Sequence, residues 1–205
     1  MPSFQEFPAF SPEVEIVPST FFAPLDLESI YGRNAPLEVD LGCGDGSFLA
    51  EIAAADPTRN FLGIERLAGR VRSAEGKIAR RQVANARVLR VEISYAVERM
   101  LPADSVALFH LMFPDPWPKR RHWRRRIVTE EFLASIFRAL QPEGLMRITT
   151  DQVEYFRAIE RVAELAKGFE RSADPAPPGA LSTFARRFAQ SEIYRLVLRK
   201  VSAVR

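Results

Sequence analysis

This sequence has few of the residues from which disulfide frameworks and metal sites are built. Cys43 is the only cysteine among 205 residues, and there are only two histidines. A single cysteine cannot form a disulfide within the chain, which excludes a disulfide-stabilised fold and favours a reducing compartment. No Cys, His and Asp residues are grouped with the spacing of metal ligands, so we expect no catalytic metal.

Long hydrophobic runs are also missing. No apolar stretch approaches the roughly 18–20 residues that cross a bilayer, and residues 1–19 lack the basic start and apolar run of a signal peptide. These absences predict a cytoplasmic protein with no membrane partner. The formal net charge of +3 is too small to identify a partner, so the placement of the charges matters more than their sum.

The chain does contain short apolar segments that alternate with helix-like segments. The apolar runs have the length and composition of buried strands and lie at 37–41, 61–65, 86–91, 106–113 and 145–149. The intervening helical patterns lie near 46–55, 67–83, 95–101, 130–140 and 152–166. This alternation predicts an α/β fold with a mostly parallel sheet and helices on both faces.

Both ends of the chain depart from this alternation. Residues 193–201 form a late apolar run without a following helix, which predicts an antiparallel closing strand. Residues 1–20 contain four prolines, which favours a flexible N-terminal arm before a single domain over 21–205.

A glycine-rich loop follows the first predicted strand. Gly42, Gly44 and Gly46 alternate with other residues where that strand meets the next helix. Glycines at this point allow a tight turn and a close approach of the backbone to a ligand. A dinucleotide site needs a further glycine at position 47, where Ser47 stands.

Acidic residues indicate which ligand this loop binds. Glu38, Asp40 and Asp45 would repel a pyrophosphate and attract the ammonium of S-adenosylmethionine. Glu65 ends the second strand about 20 residues later, where an acid can hold both hydroxyls of a ribose. The combination predicts a site for S-adenosyl-L-methionine.

The fourth strand leads into a proline-rich loop and a basic segment. Asp115 lies between Pro114 and Pro116, which stiffen the backbone around it. Six of the eight residues at 119–126 are basic, and Trp123 stands among them. Clustered cations with an aromatic side chain are typical of surfaces that bind phosphates and stack on bases.

These motifs resemble the bacterial tRNA (guanine-N7)-methyltransferases over about residues 30–200. The segment FPDPWPKRRHWRRRIV (113–128) is similar to the hallmark of that family, and LEVDLGCGDG, FLGIE, the TTD at 149–151 and the IYR at 193–195 are similar to its other blocks. The resemblance implies a Rossmann-like class I methyltransferase with a seven-stranded sheet. It also implies methylation of N7 of a guanosine in the tRNA variable loop.

The resemblance also implies roles for particular residues. Methyl-donor binding falls to the glycines of the loop and to Glu38, Glu65, Glu92 and Asp115. Asp115 is in addition the expected catalytic residue, because its carboxylate would stabilise the positive charge that develops on the purine. The expected tRNA-binding residues are Lys119, Arg121, Asp151, Ser182 and Thr183.

Two departures from the family pattern leave alternatives open. Ser94 and Tyr95 stand where the family has an aspartate, and Ala185 replaces a glutamate near the C-terminus. The alternatives are a methyltransferase of another RNA and a catalytically decayed RNA-binding relative. In each case we expect no obligate protein partner, and a monomer or a homodimer.

Overall fold

The computed structural model describes residues 14–173 and 192–201, and its fold is a single twisted sheet with helices on both faces. The eight strands are β1 (Glu15–Ile16), β2 (Leu37–Leu41), β3 (Asn60–Ile64), β4 (Ala86–Leu89), β5 (Val106–Met112), β6 (Leu140–Thr150), β7 (Phe169–Arg171) and β8 (Tyr194–Lys200). The helices are α1 (Leu27–Tyr31), α2 (Ser47–Ala55), α3 (Ala68–Arg80), α4 (Ile93–Tyr95), α5 (Glu130–Ala139) and α6 (Val153–Leu165). The chain also forms a π-helical turn at Ala96–Met100, which is wider than an α-helix, and a 3-10 helix at Arg120–Arg125, which is tighter.

The strand order is β1-β4-β3-β2-β5-β6-β8-β7. The first six strands pair in parallel, and β8 is antiparallel to both of its neighbours. The expected parallel sheet and antiparallel closing strand are therefore confirmed. The sheet has eight strands instead of the seven expected, because the two-residue strand β1 adds to the edge beside β4.

Part of the predicted N-terminal arm lies at this edge of the sheet. Val14 is buried in the core and its carbonyl accepts a hydrogen bond from Val88 N at 2.8 Å. Residues 14–16 of the predicted arm therefore belong to the folded domain, and residues 1–13 lie outside the described part of the chain. Pro12 and Pro18 lie on either side of residues 14–16, so no proline interrupts the backbone pairing of these residues with β4.

Two hydrophobic clusters hold the helices to the sheet. One contains the apolar sides of α2 and α3, and the other contains those of α5, α6 and the π-helical turn. The buried positions in α6 are Tyr155, Ile159 and Ala163, at the four-residue spacing that keeps side chains on one face. Thr129 caps α5 by accepting a hydrogen bond from Phe132 N at 3.2 Å. Among the described residues no helix is long and apolar enough to cross a bilayer.

Candidate active site

An open cleft of about 970 Å3 lies at the carboxyl edge of the sheet. The strand order reverses next to β2, since β3 and β4 follow on one side and β5 and β6 on the other. Ligands of open α/β sheets bind at such a reversal, in the crevice beyond the carboxyl ends of the strands. The cleft volume lies in the range of small-molecule sites, about 300–1,000 Å3.

The glycine-rich loop between β2 and α2 reaches the floor of this cleft at Gly42, whereas Gly44 and Gly46 lie outside the lining. Gly42, Gly44 and Gly46 all have positive φ, which side chains with a Cβ rarely adopt. Gly42 lines the cleft, and its amide donates to Ile64 O at 2.9 Å, which ties the loop to β3. Gly46 has a different task. A Cβ added there would lie 2.4 Å from Ala74 Cβ, so this glycine lets α2 pack against α3.

Two of the acids expected to attract the ligand are already paired within the protein. Glu38 Oε2 lies 2.8 Å from His110 Nε2, and its Oε1 lies 3.3 Å from Arg59. Burial would raise the pKa of Asp45, but hydrogen bonds from Lys77 and Ser47 outweigh it and lower the pKa to about 2. Neither acid lines the cleft. The predicted donor-binding role of Glu38 therefore gains no support from its position.

Asp40 is the third of the acids that the sequence predicts will attract the ligand. Its side chain is buried directly before Leu41 and Gly42, which line the cleft. Burial raises the pKa of Asp40 to about 7, and the nearby Glu65 adds to that rise. No described residue donates a hydrogen bond to its carboxylate. A cation in the cleft would favour its ionised form.

Glu65 and Glu92 lie beyond the carboxyl ends of the neighbouring strands β3 and β4. Glu65 is 5% exposed, accepts a hydrogen bond from Leu67 N at 2.9 Å and lies 3.6 Å from Arg70 Nη1. Glu92 is exposed and caps α4 by accepting from Tyr95 N at 2.9 Å. Both line the cleft, as do Ile93 and Ser94. Ser94 thus occupies a position at which the family has an acid.

The loop after β5 is strained. Phe113 and Trp117 have φ values of 51° and 42°, in a region that bulky residues seldom occupy. Phe113 N donates to Thr149 O at 2.7 Å, and Pro116 O accepts from Arg126 Nε at 2.9 Å, so both ends of the loop are fixed. Asp115 lies between these anchors, exposed to solvent and lining the cleft.

The basic segment places different residues at the cleft from those predicted. Arg124, Arg125 and Arg126 line the cleft, whereas Lys119 and Arg121 are exposed and lie outside its lining. Two of these arginines pack on aromatic rings, with Arg125 4.9 Å from the Trp117 ring centroid and Arg126 4.9 Å from that of Trp123. No feature of the sequence separated these arginines from their neighbours.

The remaining predicted substrate residues lie further from the cleft or outside the described chain. Asp151 follows β6 directly and is half-buried, near the hydrogen bond that joins Phe113 to Thr149, but it does not line the cleft. Ser182 and Thr183 fall outside the described residues, as does Ala185. Their roles stay predictions.

The cleft suits S-adenosylmethionine in its chemistry. Its lining offers carboxylates for the ribose hydroxyls and for the positive centres, from Glu65, Glu92 and Asp115. Leu67, Ile93 and Leu111 supply apolar surface for an adenine ring. Gly42 leaves the backbone accessible at the floor.

The fold and the sequence were compared with known proteins. A family model described as "Putative methyltransferase" matches residues 34–184. A tRNA (guanine-N(7)-)-methyltransferase of Syntrophotalea carbinolica is 33% identical over 172 residues, which is 81% of this chain and 74% of that protein. A protein of the same description from Halorhodospira halophila is 36% identical over 80% of this chain and 73% of its own length. The crystal structure of the 16S rRNA methyltransferase KamB aligns with a TM-score of 0.62 at 17% identity, over 86% of this chain and 93% of that one.

The sheet, the glycine-rich floor and the acid-lined cleft define a class I methyltransferase with a Rossmann-like fold, which uses S-adenosyl-L-methionine as its methyl donor. Within that class, the chain belongs to the tRNA (guanine-N7)-methyltransferase family. The family resemblance seen in the sequence is therefore confirmed.

Proposed function

We propose that this protein transfers a methyl group from S-adenosylmethionine to N7 of a guanosine in the variable loop of tRNA. One observation carries the proposal. The donor-type acids Glu65, Glu92 and Asp115 line the same cleft as Arg124, Arg125 and Arg126. A carboxylate-lined site for a cationic donor therefore opens directly onto a cationic rim that suits RNA phosphates. The relatives described as tRNA (guanine-N(7)-)-methyltransferases support tRNA as the substrate.

The sulfonium of bound S-adenosylmethionine supplies an electrophilic methyl group. N7 of guanine carries a free lone pair, so the protein needs no base to remove a proton before the attack. Catalysis then depends on how closely and in which orientation the protein holds the two reactants.

The cleft residues divide this work between donor and purine. Glu65 holds the ribose hydroxyls, and its carboxylate is oriented by the Leu67 amide and by Arg70. Asp115 stabilises the positive charge that the purine gains, an interaction stronger in the transition state than in the ground state. Asp40 places negative charge beneath the floor of the cleft. We assign to Asp40 the attraction of the cationic methyl donor, a role that the sequence suggested for Glu38.

The RNA-facing roles follow from the basic segment and from β6. Arg124 and Arg125 contact phosphates at the rim, and the exposed Lys119 and Arg121 extend this contact outward. Asp151 orients the guanine edge from the end of β6. For Ser182 and Thr183 we propose contacts with the same RNA.

The test is transfer of labelled methyl groups from S-adenosylmethionine to an unmodified tRNA transcript. A matched transcript carries 7-deazaguanosine at the variable-loop guanosine. We expect incorporation into the first transcript only, and Asp115→Asn should slow single-turnover transfer while tRNA affinity stays unchanged. Equal incorporation into both transcripts would exclude N7 of that guanosine. Donor binding without incorporation into either would point to another RNA or to a decayed relative.

A further inference from the structure

Helix α3 carries a row of basic side chains away from its buried face. Val71, Ala74 and Ile78 pack into the core. Arg70, Lys77 and Arg81 follow one another at spacings of seven and four residues, which aligns them along one side of the helix. Arg66 precedes the helix and Arg80 lies beside Arg81. We call this set, Arg66, Arg70, Lys77, Arg80 and Arg81, the α3 basic row.

The row begins at the cleft and leads away from it. Arg66 and Arg70 line the cleft, beside Glu65. Lys77 Nζ contacts Asp45 Oδ2 at 2.5 Å and Ser47 Oγ at 2.6 Å, so the middle of the row lies beside the glycine-rich loop. From Arg70 to Arg80 the helix rises about 15 Å, far enough to follow several nucleotides.

Three of these five charges have no ion-pair partner among residues 14–173 and 192–201. Arg66, Arg80 and Arg81 are exposed, and the described residues place no carboxylate within ion-pair distance of them. The nearest polar contact of Arg81 is Ser47 O at 3.5 Å, at the limit of a hydrogen bond. Glu75 is the only acid between residues 66 and 82. Like charges held close together repel unless an anion binds between them.

The charge distribution along the whole chain also favours α3 and segment 119–126 as the regions that bind a polyanion. Segments 66–82 and 119–126 contain twelve of the 29 basic residues and one of the 26 acidic residues. The rest of the chain therefore has 17 basic residues against 25 acidic ones and would repel a polyanion on balance. Each of the two basic segments contributes arginines to the lining of the cleft.

We propose that the α3 basic row is a second RNA-binding surface, which holds the phosphate backbone of the RNA whose guanosine enters the cleft. The inference rests on the proposed function and extends it. The RNA then contacts both sides of the cleft, segment 119–126 on one side and α3 on the other. Arg80 and Arg81 lie outside the cleft lining, so they contribute to the affinity for tRNA and not to the rate of methyl transfer.

The test compares two double variants of the full chain that remove equal charge. Arg80→Gln/Arg81→Gln alters the α3 basic row, and Arg157→Gln/Arg161→Gln alters two exposed arginines of α6. Binding of a tRNA transcript is measured against KCl concentration. Loss of two phosphate contacts should reduce the slope of log K against log[salt] by about 1.4 to 1.8. We expect this reduction, with weaker tRNA binding, in the α3 variant and a wild-type slope in the α6 variant.

Two further measurements separate the outcomes. Donor affinity and the rate at saturating tRNA should be those of the wild type in the α3 variant. Equal slopes in the two variants would overturn the α3 surface, and so would an α3 variant that loses affinity for anionic lipid vesicles but keeps its affinity for tRNA. Wild-type protein that binds tRNA with this salt dependence but does not methylate it would overturn the proposed function and leave the surface intact.

Discussion

At the scale of single residues, charge and burial distinguish side chains that look equivalent in the sequence. Glu38, Asp40 and Asp45 lie within eight positions of one another, yet two of them pair with basic side chains distant in the chain, and the described residues provide no hydrogen-bond donor to the third. The sequence predicted an acidic loop, but of its three acids only Asp40 directly precedes residues that line the cleft, Leu41 and Gly42. Which acid stays unpaired depends on His110 and Lys77, which lie far away in the chain.

Asp40 should make the stability of the protein depend on pH. Burial and Glu65 raise its pKa to about 7, above the ordinary value of 3.8. Between these values the folded state binds a proton that the unfolded state has lost, so stability falls as pH rises from about 4 to 7. Asp40→Asn removes this titration. In urea unfolding at pH 5 and pH 8, we expect the wild type to lose about 2–4 kcal/mol more than the variant.

An equal loss of stability in the wild type and in Asp40→Asn would contradict this prediction. If both proteins lose the same stability between the two pH values, Asp40 is ionised in the fold throughout. Donor binding gives an independent check, because a cationic ligand favours the ionised carboxylate. Affinity for S-adenosylmethionine should therefore increase through pH 7 in the wild type and not in Asp40→Asn.

Arg126 should act by positioning the loop that carries Asp115 and not by gripping phosphate. Its guanidinium lies 4.9 Å from the Trp123 ring centroid and 4.8 Å from that of Tyr155, and its Nε donates to Pro116 O. A lysine keeps the charge but cannot stack as a planar group on both rings. Arg126→Lys should lower kcat by up to about 100-fold, because displaced catalytic groups lose their alignment.

The control for Arg126 is Arg124→Lys, since Arg124 also lines the cleft but is exposed. Its kcat should stay near that of the wild type. The salt dependence of tRNA binding should be unchanged in Arg126→Lys. A wild-type kcat in Arg126→Lys would refute the positioning role.

At the scale of elements, the helices and strands were largely predictable because their apolar periodicity is local. All six strands expected from apolar runs are present; five lie within about two residues of their predicted bounds, and β6 begins at Leu140, five residues earlier than predicted. The short strands β1 and β7 were missed, since two or three residues carry no periodicity. The helix expected at 95–101 begins at Ile93 and continues as a π-helical turn, which depends on packing against α5.

The contact between α2 and α3 depends on Gly46. Gly46→Ala would place a Cβ 2.4 Å from Ala74 Cβ and 2.6 Å from its Cα, at a position with φ of 72°. We expect a loss of about 1–3 kcal/mol in the free energy of unfolding. Gly69→Ala in α3 is the matched control, because an added Cβ there meets nothing within 4 Å. It should be neutral or stabilise the helix by up to about 1 kcal/mol. Equal urea midpoints for the two variants would contradict the packing role of Gly46.

At the scale of the whole molecule, donor binding should stabilise the fold and show which acids hold the ligand. With S-adenosylmethionine at 100 times its Kd, the wild type should gain about 2.7 kcal/mol. Glu65→Gln should lose most of this gain at the same concentration. Glu38→Gln should keep the gain, even if loss of the contacts with His110 and Arg59 lowers its ligand-free Tm.

The measurement is a thermal unfolding series with and without the donor. A ligand-induced rise in Tm that disappears in Glu38→Gln and persists in Glu65→Gln would reverse our assignment of the two acids. Glu38 lies within β2 and Glu65 directly follows β3, but only Glu65 lines the cleft, so the two variants separate donor binding from a general effect on the sheet.

The sequence by itself determined the class of fold, the glycine-rich loop, the positions of Glu65 and Asp115 and the family. These features are encoded locally, in apolar periodicity and in short motifs whose residues act together. Only the tertiary structure decided which acids face the cleft, which arginines line it and that α3 carries a second basic surface beside it. Those outcomes depend on contacts between residues far apart in the chain, such as Glu38 with His110 and Asp45 with Lys77. These pairings occupy some of the acids and leave others available to a ligand.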